Sequence, residues 1–212
     1  MPLLNKTVGG AVKSSLDVIT KVTTSVSFEI VFTELLVVKD KLENVVNVVG
    51  TNAKASMAHS LKSILNNAGY KCNLYTSPHL QSFTERFIFN DEEIKEEELI
   101  EILSDVEKVL GNDNASLFEI LTCAFLKYAE KYKDNINIIE AGLFFQFDST
   151  NVFKKNLMTL IGVIHTDHLQ WLKNKTIDGI IFEKTSKLLN SNIFINKQIN
   201  EEIRAKIEKS LI

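Results

Sequence analysis

Lys54 and Ser56 stand in GTNAKAS, residues 50–56, between an apolar run, VVNVV, and the helix-spaced stretch MAHSLKSILNNAG. A phosphate-binding loop needs inward-turned backbone N–H groups, a lysine on the outer phosphates and a hydroxyl on magnesium. The helix that follows such a loop adds a positive N-terminus. Lys54 and Ser56 are of the right types, but the residue before the lysine is Ala53, where such loops carry glycine. By itself the stretch reads more readily as a strand-to-helix turn with a solvated lysine. Glu140 closes a second apolar run, NINIIE, while Asp167 and His168 follow a third, NLMTLIGVI. A carboxylate at such a position is buried at a cost unless it is paired or holds a metal. Oxygen donors such as Glu140 and the hydroxyls of Ser56 and Ser77 suit magnesium, and His168 could complete the shell. Each of these residues taken singly is also an ordinary hydrogen-bonded strand end.

The elements around them decide whether they meet. VVNVV, KCNLYT, NINIIE, NLMTLIGVI and NIFIN read as strands. MAHSLKSILNNAG, KEEELIEILSDVEKVLG, SLFEILTCAFLKYAEKY, TIDGIIFEKTSKLL and NEEIRAKIEKSL read as helices. Ser116 and Glu119 are spaced as a capping box, and Gly69 is placed to stop the first of these helices. TSPHLQSFTERFIFNDEE, around Pro78, reads as one long irregular segment, and residues 1–44 form a poorly defined N-terminal part. Strands alternating with helices imply an α/β fold, a mostly parallel sheet with flanking helices. GTNAKAS, TSPHL, EAGL with DSTN, and HTDH all follow strands, and ligands of open parallel sheets bind at the strands' carboxyl ends. One composite site is therefore expected.

A chain of 212 residues with 45% apolar and 24% charged residues has the makeup of an ordinary globular domain. A net charge of −3 offers no basic footprint for nucleic acid. Cys72 and Cys123 lack metal-ligand spacing and are expected as buried, reduced thiols. No apolar run approaches the ~20 residues of a membrane span. MPLLNKTVGG has no signal-peptide pattern, so a cytoplasmic protein without membrane contact is expected.

Taken together, these clusters resemble the folylpolyglutamate synthase and dihydrofolate synthase branch of the Mur ligase superfamily. The family loop GTNGKGS appears as GTNAKAS, and YTSPHL with ERI and N appears as YTSPHLQSFTERFIFN. E-x-GLGG-R-x-D-x-TN appears as EAGLFFQFDSTN, GLDH-x-x-WLG as HTDHLQWLK, and an EKAGI-like segment as EKTSKLL. The resemblance implies a P-loop-type sheet over residues 45–212, an incomplete Mur ligase central ATPase-like domain, with the C-terminal glutamate-ligase domain absent. It implies an ATP- and magnesium-dependent amide ligase that activates a folate carboxylate as an acyl phosphate for attack by L-glutamate.

By the same resemblance, Gly50, Thr51, Asn52, Ala53, Lys54, Ala55 and Ser56 form the ATP loop. Lys54 would contact the outer phosphates, and Ser56 with Glu140 would hold the ATP magnesium. Ser77, Glu140 and His168 would hold a second magnesium. Lys184 matches a lysine that many members carry as a carbamate, an anionic partner for that metal; Lys54, His168 and Lys184 are the implied catalytic set. Thr76, Ser77, Pro78, His79 and Leu80 would face the pterin-bearing substrate.

The chain departs from the pattern at Ala53 and Ala55, and at Phe144, Phe145 and Gln146 in place of two glycines and an arginine. An alanine forced to φ > 0 costs about 1–2 kcal/mol. These departures keep a second function open, a non-catalytic relative with weak or no nucleotide binding. A complementing chain, or self-association through an uncovered sheet, is the expected partner.

Overall fold

The computed structural model describes residues 42–111, 115–189 and 191–211. Residues 1–41, most of the segment expected to be poorly defined, lie outside these. The described elements run β1 (Val45–Val49), α1 (Lys54–Asn67), β2 (Cys72–Tyr75), β3 (Phe87–Phe89), β4 (Glu92–Glu93), α2 (Glu96–Leu110), α3 (Leu117–Ala129), β5 (Ile136–Glu140), β6 (Met158–Ile161), α4 (Ile177–Thr185), β7 (Asn192–Ile195) and α5 (Glu201–Ser210).

The strands form one seven-stranded sheet in the order β4-β3-β2-β5-β1-β6-β7. The strands from β2 through β7 in that order run parallel. Every residue of VVNVV is buried, as a central parallel strand covered on both faces requires. Val46 and Val48 pack with Leu74, Ile138 and Ala58 beneath α1. On the opposite face, Val45 joins the core under α2 and α3, and Val49 the core formed with α4 and α5. The chain leaves β1 toward β2, returns inward to β5, then crosses β1 to reach β6. β1 is thus the switch point, where connections diverge and a crevice opens at the carboxyl edge.

Helix ends follow the sequence. Ser116 and Glu119 form the expected capping box on α3. Gly69 and Gly111 take positive φ just beyond α1 and α2. The 76–93 segment differs from the expectation of irregular chain. It contains a short 3-10 turn, Phe83–Arg86, and then an antiparallel hairpin. Asn90 (φ 50) and Asp91 (φ 74) form its two-residue tip, the left-handed pair that matches strand twist. Asp91 accepts hydrogen bonds from Lys62 and Asn66 of α1, which fastens the tip to that helix.

Among the described residues, an aromatic cluster gathers around Phe125 and Tyr75 of β2. Phe125 stacks on Tyr75 (5.0 Å between centroids) and on Phe89 (5.3 Å). Phe125→Ala is expected to lower the unfolding free energy by about 3–5 kcal/mol, read as a shifted urea midpoint at unchanged m-value.

Candidate active site

Four strand ends meet at the carboxyl edge: β1 with GTNAKAS, β2 with Thr76–Ser77, β5 with Glu140, and β6 with the segment leading to His168. Register sets their levels, since Val48 pairs with Glu140 and Val49 with Ile161. Glu140 is 2% exposed. Its Oε2 accepts the backbone N–H of Ser77 at 2.9 Å, and its Oε1 faces Lys54 Nζ at 3.8 Å. Burial raises its pKa, with Ser77, Lys54 and Arg86 opposing. Lys54 Nζ also donates to Thr51 O at 3.3 Å. No side chain among the described residues caps the N-terminus of α1, so its first-turn N–H groups lie without a side-chain partner beside that lysine, where the helix dipole favours negative charge.

The β1–α1 loop is bound closely to the β6 exit. Thr51 N–H and Asn52 N–H both donate to Val163 O, at 2.8 and 3.2 Å. Thr51 Oγ1 donates to His165 O and accepts from His165 N–H. The Asn52 amide meets His165 Nε2 at 2.7 Å. Two glycines permit this approach. A Cβ on Gly50 would sit 3.0 Å from Gly162 Cα, and one on Gly162 would sit 2.8 Å from Asn52 O. Gln198, buried after β7, braces the exit by accepting from Ile164 N–H and donating to Gly162 O.

The two loop alanines are not equivalent. Ala53 holds φ 65, in the left-handed region, whereas Ala55 lies inside α1. The backbone penalty therefore applies to Ala53 alone.

Lys184 is buried (4% exposed) and donates to Gly50 O at 2.9 Å and Leu143 O at 2.6 Å. Burial lowers its pKa to about 8; Lys54 adds to the effect, while Asp167 and Asp148 oppose it. Asp148 orders the β5 exit by accepting from Gly142 N–H and Thr150 N–H. Phe145 fills the core under α4, and the Phe144 ring lies 5.3 Å from Lys184 Nζ. Of the two replacement aromatics, one fills core and the other faces the lysine.

His168 stands at the rim with φ 53, its Nε2 3.3 Å from Asp167 Oδ2. Ser56 is exposed at the start of α1. Among the described residues no three His, Cys, Asp or Glu side chains cluster as a metal site. The oxygen donors Glu140, Ser56 and Ser77 are nonetheless of the type that suits a hard cation, and among the described residues the facing group at Glu140 Oε1 is the Lys54 ammonium, 3.8 Å away.

After Tyr75, the Thr76 N–H donates to Arg86 O. Ser77–Pro78 is a cis peptide bond. The N–H groups of Leu80, Gln81 and Ser82 converge on the Glu85 carboxylate at 2.7–2.8 Å. Arg86 Nε donates to His79 Nδ1 at 2.9 Å, and Leu80 is 92% exposed. Glu85, His165 and Gln198 were not singled out from the sequence. Glu85 closes a capping box with Ser82, a spacing readable from the sequence, whereas the partners of His165 and Gln198 lie across the fold.

No protein-family model matches the chain. It is 39% identical over 145 residues to the dihydrofolate synthase/folylpolyglutamate synthase of Bacillus subtilis, covering 65% of this chain and 33% of that protein. It is 32% identical over 163 residues to the folylpolyglutamate synthase of Arabidopsis thaliana, covering 73% and 26%. The E. coli FolC structure in complex with DHPP and ADP matches with a TM-score of 0.82 at 26% identity, over 97% of this chain and 50% of that one. The chain belongs to the folylpolyglutamate synthase/dihydrofolate synthase family. It spans about a third or less of the length of those two curated relatives. The apo form of L. casei FPGS, at 21% identity and a TM-score of 0.83, shares the fold.

Two expectations follow for this folylpolyglutamate synthase-type domain. Ala53→Gly relieves about 1–2 kcal/mol of left-handed strain and gives back about 0.4–1 to the unfolded chain, a net gain near 0.5–1 kcal/mol. Ala55→Gly, in a helix, loses about 0.5–1 kcal/mol; urea unfolding reads both, and equal effects would contradict the backbone assignment. An acid whose folded pKa lies above its unfolded value binds its proton more tightly when folded, so stability falls as pH rises between the two. Glu140 is such an acid. Glu140→Gln should be more stable than the parent at neutral pH and lose less stability between mildly acidic and neutral pH.

Proposed function

We propose that this chain carries the nucleotide and folate side of an ATP-dependent folate–glutamate ligase, with an intact rather than vestigial phosphate seat. The observation that carries this reading is the meeting of Lys54, Glu140 and the Ser77 backbone at the uncapped N-terminus of α1. Relatives named as folylpolyglutamate and dihydrofolate synthases, and a neighbour holding DHPP and ADP, support it.

In this reading the ATP phosphates settle on the N–H groups of Lys54, Ala55 and Ser56. Lys54 turns from Thr51 O to the outer phosphates, where fixed positive charge stabilises the transferring phosphoryl group. Glu140, with Ser56 and Ser77, would hold magnesium, which supplies charge neutralisation when bound; His168 reaches it from the rim by leaving Asp167. The folate carboxylate attacks the outermost phosphorus and ADP leaves. The glutamate amine then attacks the acyl carbon, an amide bond forms, phosphate leaves and the amine gives up a proton. Thr76, Ser77, Pro78, His79 and Leu80 line the folate side, with exposed Leu80 free to pack on a ring. The glutamate site and closure over the acyl phosphate are assigned to chain beyond these residues or to a complementing chain. Phe194 on edge strand β7 is 56% exposed, and a complementing chain or second copy would cover it.

One observation favours the second reading, a binding-deficient relative. Ala53 occupies a left-handed position next to the phosphate lysine. The test is magnesium–ATP binding by thermal shift, which rises as RT ln(1 + [L]/Kd). A clear shift at millimolar ATP, lost in Lys54→Ala, is expected. No shift in the parent, with recovery in Ala53→Gly, would establish the binding-deficient reading. With tetrahydrofolate and labelled glutamate, product abolished by Lys54→Ala is the corresponding result for ligase activity.

A further inference from the structure

We propose that the outer edge of β7 is a self-pairing surface, on which a second copy of this chain docks antiparallel about a two-fold axis at Phe194. Among the described residues, β7 ends the sheet on one side and β4 on the other. β4 is two residues long and both are glutamates; short, charged strands keep an edge from pairing. β7 is Asn192-Ile193-Phe194-Ile195, with neither charge nor proline, so it has no such protection. Phe194 lies level with Leu160 and lines a groove of about 500 Å³ with Met57, Leu61 and Ile64 of α1. None of the described residues lining that groove is charged.

The strand's own geometry selects the partner. Asn196 N–H donates to Ile161 O of β6, and backbone groups of alternate residues point to opposite sides of a strand. Asn192, Phe194 and Asn196 therefore address β6, while the N–H and C=O groups of Ile193 and Ile195 point out from the edge. The side chains of Ile193 and Ile195 pack on the core with α4 and α5, and Phe194 turns to the α1 face, where it is 56% exposed. Residues opposite each other in paired strands must share a face, which a two-fold axis at Phe194 satisfies. In that register the outward groups of Ile193 meet those of the partner's Ile195, so every outward donor and acceptor within the strand is matched. Phe194 faces the partner's Phe194 at the non-hydrogen-bonded position, where side chains stand closest and aromatic pairs add stability. Asn192 faces the partner's Asn196, two amides that can each donate and accept. Ser191 faces the partner's Lys197, so no like charges oppose across the seam. An unrelated strand would have to match this pattern of faces, whereas a second copy matches it by symmetry. The axis stands perpendicular to the sheet, so both α1 helices lie on one side and the two grooves join into one trough. Such an isologous contact closes at two copies.

This surface does not rest on the ligase reading, and its test reads mass and cross-links rather than activity. Sedimentation equilibrium of the 212-residue chain, under reducing conditions at micromolar concentration, is expected to give twice its 24.0 kDa. A monomer, or a ladder of larger species, overturns the proposal. Phe194→Lys sets two ammonium groups opposite each other and is expected to yield a monomer with the parent's circular dichroism. Phe182→Lys, at an exposed aromatic on α4, is expected to stay dimeric. A dimer that persists in Phe194→Lys overturns the proposal. Cysteine variants then read the register, since Cys72 and Cys123 are buried. Cα atoms of a non-hydrogen-bonded pair stand about 4.5 Å apart, inside the roughly 4.4–6.8 Å that a disulfide spans. Mild oxidation is expected to turn Phe194→Cys into a covalent dimer, and to leave Ile199→Cys, an exposed site beyond the strand, uncross-linked. Equal cross-linking of the two, or none at position 194, overturns the register. If Phe194→Lys does not fold, the mass of the parent and the cross-link decide.

Discussion

The edge of this domain depends on one buried carboxylate. Glu140 sits at the end of a central strand, almost sealed from water, and its charge is tolerated because a backbone N–H from the β2 exit and an ammonium from α1 reach it. Neither partner neutralises it fully, as its raised pKa records. An apolar residue at position 140 would suit the fold better on solvation grounds. Keeping the carboxylate draws the 50–56 loop, the β2 exit and the central strand to one point. The local arrangement opposes stability and favours a site, which is the pattern of perturbed groups at functional centres.

Much of this was legible beforehand, for identifiable reasons. Central strands such as VVNVV are covered on both faces, so their sequences are nearly all apolar and bounded by polar turns. α3 announced itself through Ser116 and Glu119, because a capping box is a local device within one turn. The clustering of strand-end motifs followed from the rule for parallel sheets. The β3–β4 hairpin was missed because its tip is Asn-Asp, without the glycine that usually marks such turns, and one strand is only two residues long.

Within the site, residue types could be read but their pairings could not. Nothing in the spacing of Lys184 says that its amine lies on two carbonyls, or that Phe144 would turn toward it while its neighbour Phe145 enters the core. These arrangements depend on chain segments about forty or more positions apart. The two loop alanines make the same point at short range. They appear as a pair in the sequence, yet one lies before the first helical residue and the other after it. A Cβ is strained at the first position and favoured at the second, so chemically identical substitutions have opposite conformational meaning.

The bond from the hairpin tip to α1 has a mechanical consequence. Asp91 grips α1 at Lys62 and Asn66, while the uncapped amino end is at Lys54. At about 1.5 Å per residue, grip and amino end are roughly 12–18 Å apart along one rigid rod. The same hairpin is continuous through β3 with the 76–86 segment that follows β2. One rod thus carries the hairpin's anchorage along its length and uncapped N–H groups at its amino end.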